Sequence, residues 1–138
     1  MSEFDPATTE AAVATYQSAI GVFTPLLHEV RELSKKKPDA TLSASKVKLV
    51  NNVLDDLLAI VKSEPEGKYL ERLEDDDLPQ VSDALMMMAQ FNAALDAFNK
   101  RYHRYVKVRF ERQHRWITVE QVAEWEAENQ STDGEEVD

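Results

Sequence analysis

Apolar residues recur along most of this chain at alternating spacings of three and four, the signature of helices with one buried stripe. In the first stretch the series is Val13, Tyr16, Ile20, Phe23, Leu27 and Val30, which predicts a helix from about Thr8 to Lys36. Asp5–Pro6 suits its start, and the run Lys35–Lys37 followed by Pro38 suits its end. Pro25 falls inside the pattern without disturbing the register, so a kinked helix or two end-to-end helices is expected there. A second series, Val47, Val50, Leu54, Leu57 and Val61, predicts a helix from about Ser45 to Ser63. Leu49, Val53 and Leu58 widen its stripe, as in a central helix or one that meets a partner. After a turn at Glu64–Gly67, a single helical turn is expected around Tyr69, Leu70 and Leu73.

The third series starts at Val81 and keeps its spacing through Leu85, Met88, Phe91, Leu95, Phe98, Tyr102 and Tyr105. It predicts the longest helix, about 45 Å or more at 1.5 Å per residue, overhanging the second helix from about residue 98. Val106, Val108 and Phe110 also alternate, which suits a short strand at 105–110 instead. The last element has the clearest start. Thr118 and Gln121 form a capping box, and Ile117 and Val122 the matching hydrophobic staple, of a helix running to about Asn129. The fold class read from this pattern is all-α: a small bundle of three to five helices, with a long third helix and a short C-terminal helix folding back. Residues 1–129 form a single helical domain, and 130–138 a disordered acidic tail.

Charge changes the picture more than composition does. The formal net charge of −10 disfavours nucleic acid and anionic membranes on average. Yet the segment 100–116 carries Lys100, Arg101, Arg104, Lys107, Arg109, Arg112 and Arg115 against a single acid, Glu111. The remaining segment, 117–138, is acidic throughout and has no basic side chain. Lys100, Arg101, Arg104, Lys107, Arg112 and Arg115, interleaved with Tyr102, Tyr105, Phe110 and Trp116, have the composition of a nucleic-acid-binding surface. The competing expectation is internal neutralisation, with the last helix laying Glu120, Glu124 and Glu128 near the arginines. Cysteine is absent, which excludes disulfides and thiolate chemistry. With neither a secretory pattern nor a long apolar run, the chain is expected to be cytoplasmic.

Candidate chemistry is sparse. Arg109 and His114 form an R-x4-H pair that resembles the motif of the HEPN ribonucleases. That resemblance implies a helical dimer in which two such motifs face each other, with His114 as acid/base and Arg109 stabilising phosphate charge. The chain departs from the family pattern at Phe110, where a polar residue usually follows the arginine. Glu111 and His114 make one E-x-x-H, but no second copy or pair of further glutamates accompanies it, so neither metal nor cofactor is expected. Met86 and Met87 lie off the core register and are candidates for a partner-binding groove. The terminal Glu135, Glu136, Val137 and Asp138 resemble the tail by which cytosolic heat-shock chaperones bind tetratricopeptide co-chaperones, implying a basic clamp as partner. The function read from all this is a non-enzymatic helical protein–protein interaction module: adaptor, inhibitor or antitoxin-like, with a second copy of the chain among the possible partners. The alternative is an RNA-binding or HEPN-like ribonuclease domain using Arg109 and His114.

Overall fold

The computed structural model describes residues 3–137, with side chains to residue 128. In chain order the elements are α1 (Glu10–Lys36), α2 (Ala44–Val61), a 3-10 turn (Pro65–Gly67), α3 (Val81–Tyr102), β1 (His103–Val108), β2 (Glu111–Trp116) and α4 (Val119–Val137). The two strands form one antiparallel sheet, so the fold is mostly helical α+β, not the all-α bundle expected from the sequence. The chain divides into two compact units, one spanning Ala14–Ala97 and the other formed by residues up to Val13 and from Phe98 onward.

In the Ala14–Ala97 unit most of the periodic positions are buried, while Tyr16, Ile20 and Leu85 are half-buried. Phe23, Leu27 and Val30 of α1, Val47, Val50, Leu54, Leu57 and Val61 of α2, and Met88, Phe91 and Leu95 of α3 form its core. α1 continues through Pro25 as one element, the missing N–H falling opposite Gly21. Ser43 caps α2 by accepting from the Lys46 amide at 3.3 Å. The broad stripe of α2 resolves unequally: Val53 is buried, Leu58 is half-buried and Leu49 is exposed.

The segment after α2 departs from expectation. The helical turn lies at Pro65–Gly67, and Leu70 and Leu73 belong to an irregular stretch. Asn51 explains why. Its buried amide donates to the Leu73 carbonyl at 2.9 Å and accepts from the Leu73 N–H at 2.8 Å, replacing the bonds a helix would supply.

In the second unit, α3 ends at Tyr102 after 22 residues, about 33 Å, and the chain turns into the hairpin. The periodic series is buried through Phe98 and Tyr102, then fails at Tyr105, which is 56% exposed. From His103 the period is two: Val106 and Val108 are buried, with Tyr105 and Lys107 exposed. The strand therefore overrides the helical overhang. Val106 and Val108 pack with Ile117 and Trp125, against Phe4, Ala7 and Val122. Thr118 accepts from the Gln121 amide at 3.2 Å to cap α4. The Gln121 side chain turns forward to Glu124 at 2.9 Å, so the box is closed from one side by this pair. The backbone of α4 continues past the expected end at Asn129. The side chains from 129 on, and with them any side-chain contact of Glu135, Glu136 and Val137, lie outside the described residues, as does Asp138 altogether.

Candidate binding surface on the hairpin

Strand pairing sets the geometry of the basic segment. The register matches His103 with Trp116, Tyr105 with His114, Lys107 with Arg112 and Val108 with Glu111, leaving Arg109 and Phe110 as a two-residue loop. Directly paired residues share a face, and successive residues alternate. One face thus carries His103, Tyr105, Lys107, Arg112, His114 and Trp116. The other carries Arg104, Val106, Val108, Glu111, Gln113 and Arg115, and its valines pack on the cluster around Trp125.

On the first face the rings form a contiguous patch. Tyr105 and His114 have centroids 5.0 Å apart, His103 and Trp116 5.0 Å, and His103 stacks on His114 at 5.9 Å with 23° between planes. Trp116 also reaches Phe98, at 6.0 Å, and is half-buried, whereas Tyr105 and His114 are exposed. Lys107 and Arg112 flank the rings toward the loop. At the tip Phe110 is 95% exposed, and Arg109 adopts φ 61°, the left-handed region that a two-residue hairpin loop demands.

The basic side chains meet different fates. Arg104 donates from both terminal nitrogens to consecutive carbonyls, Asp5 at 2.8 Å and Pro6 at 2.9 Å, and so holds the N-terminal segment rather than facing a ligand. Glu3 accepts from the Lys107 amide at 3.0 Å and lies 3.5 Å from Arg112. Arg109 is paired with Glu128. Of the three glutamates expected near the arginines, only Glu128 makes such a pair among the described contacts: Glu120 accepts from the Glu10 amide at the start of α1, and Glu124 from Gln121. Lys100 is exposed at the end of α3, and Arg101 lies over the Tyr102 ring at 6.0 Å. Arg115 is exposed on the Val106 side of the hairpin.

Arg109 and His114 are not brought together as a helical R-x4-H pair would be. The first sits in the loop with its guanidinium on α4, the second stacks on His103 and lies tilted against Tyr105 on the strand face. The sequence signal that marks this face is the alternation of rings and cations from His103 to Trp116, which the helical reading hides. In the other unit, Met86 is exposed and Met87 half-buried on α3. A shallow apolar groove there, between α1 and α2, is lined by Leu26, Val30, Leu33, Leu49 and Val50. Among the described residues, no group of three or more His, Asp or Glu is placed to hold a metal ion, and no helix is long and apolar enough to cross a membrane. Comparison with known proteins finds no matching family model, no matching curated protein and no matching solved structure.

Proposed function

We propose that this chain is a non-enzymatic interaction module, an adaptor, inhibitor or antitoxin-like protein of the cytoplasm, and that its recognition element is the hairpin. One observation carries the reading: Phe110 stands almost wholly in water at the tip of a strand pair whose other face is anchored in the core. Exposing a phenylalanine forgoes about 1.5–3 kcal/mol of burial, which a partner's surface would restore. The stacked rings and cations beside it favour, as a second reading, a nucleic-acid ligand for the same element. Cleavage by Arg109 and His114 gains no support, since Arg109 sits in the loop paired with Glu128 while His114 lies apart from it on the strand face.

The test is co-purification of the tagged full-length chain from its native cells, beside Phe110→Ser and a control change at Tyr69, which is also open to water, in the other unit. The expected result is a bound macromolecule that Phe110→Ser loses and Tyr69→Ser keeps. Turnover of any substrate that depends on His114 would overturn the non-enzymatic reading, and retention of the partner by Phe110→Ser would remove the hairpin from it.

A further inference from the structure

Resting on the reading of the hairpin as recognition element, we infer that its ring-bearing face is a platform for single-stranded nucleic acid. Bases stack on Tyr105 and His114, and phosphates are met by Lys107 and Arg112. The argument is one of chemistry and charge. Every charged side chain that the strands place on this face is cationic, and both cations lie to one side of the rings. Glu111, the one acid of the hairpin, falls on the opposite face. Residues two apart on a strand are separated by about 7 Å, so a chain crossing the face meets a ring pair and then a cation pair. Tyr105 keeps more than half of its surface open even with His114 beside it, leaving a ring face for a base.

A duplex hides its base faces and offers only edges and phosphates, whereas a single strand offers the flat surface that exposed rings accept. An acidic protein segment would satisfy Lys107 and Arg112 but would have no use for the array of rings. The chain's net charge of −10 opposes long-range attraction, and Glu3 already competes for Arg112 at 3.5 Å. Binding is therefore short-ranged and micromolar, and Glu3 acts as a brake upon it.

The experiment is fluorescence anisotropy of a short labelled oligouridylate and of a matched duplex, titrated with the full-length chain. The expected result is micromolar binding to the single strand and weaker binding to the duplex. The slope of log affinity against log salt should lie near −1.4, as for about two neutralised phosphates. Tyr105→Ala should weaken binding about tenfold and Tyr105→Phe should retain it. Glu3→Gln should tighten it, and Lys48→Ala, an exposed change in the other unit, should leave it unaltered. No binding at high micromolar concentration, tighter binding to the duplex, or a Tyr105→Ala variant that is folded and binds as well as the parent would each overturn the inference. If Phe110→Ser loses a native protein partner while the oligonucleotide never binds, the hairpin reading stands and this inference alone fails.

Discussion

The guanidinium of Arg109 grips the carboxylate of Glu128 with two parallel bonds, from Nε at 3.1 Å and from Nη2 at 3.0 Å. The pair ties the hairpin loop to α4 across solvent-exposed surface. The hydrogen bond from Arg109 lowers the Glu128 pKa below the usual carboxylate value; desolvation opposes it, and the charge of Arg109 adds a smaller lowering. A depressed carboxylate contributes stability above its unfolded-state pKa and loses it as pH falls through the folded value. The loop should therefore detach from α4 only below the ordinary glutamate range. Carboxyl-carbon NMR checks this: Glu128 should titrate lower than a free glutamate and return to the ordinary value in Arg109→Ala.

Arg109 also holds a backbone conformation that side chains resist. Its φ of 61° suits glycine, so Arg109→Gly relieves that cost while giving up an exposed ion pair, which is worth little. The thermal midpoint of Arg109→Gly should match or exceed that of the parent. Arg109→Val, β-branched at the same φ, should fall below both.

Trp125 lies between the hairpin valines and the N-terminal segment, its ring 4.9 Å from that of Phe4. Trp125→Ala should cost about 3–5 kcal/mol in chemical denaturation, as large-to-small core changes do. Thr118→Ala should cost about 1 kcal/mol through loss of the cap on α4.

Asn51 satisfies both backbone groups of Leu73 within the core of the Ala14–Ala97 unit. Asn51→Ala leaves a buried N–H and a buried carbonyl without that partner and should cost about 2–3 kcal/mol. Asn51→Leu should do no better, since the added apolar volume leaves both groups unsatisfied. Urea denaturation of the two variants makes the comparison.

Gly67 has no room for a side chain, because a Cβ there would collide with the backbone carbonyl of Val61. Gly67→Ala should destabilise by about 1–3 kcal/mol, the scale of overpacking, by shifting the turn that comes after α2. Gly21, whose Cβ would meet nothing, should tolerate alanine with a small gain in helix stability. Thermal melts of the two variants should separate them clearly.

The helices of the Ala14–Ala97 unit were legible because their stripes are long and their ends are marked. Phe23, Leu27 and Val30, or Leu54, Leu57 and Val61, repeat over enough turns that one face had to be buried, and Thr118 announced its own helix by a local hydrogen bond. The ring-and-cation composition of 100–116 was legible too, but not its shape. From Phe98 to Tyr105 the spacing fits a helix, and from Val106 to Phe110 it fits a strand; over so few residues local periodicity does not choose. Tertiary structure chose the strand, because Val106 and Val108 then reach Ile117 and Trp125 on one face while the polar neighbours stay in water. The same choice parted Arg109 from His114 and gathered His103, Tyr105, His114 and Trp116, since a period of two groups residues that a period of 3.6 disperses. Nor could the sequence place Glu3 beside Arg112 or Asn51 beside Leu73, for those pairings depend on how distant segments pack and on which buried polar groups still lack a partner.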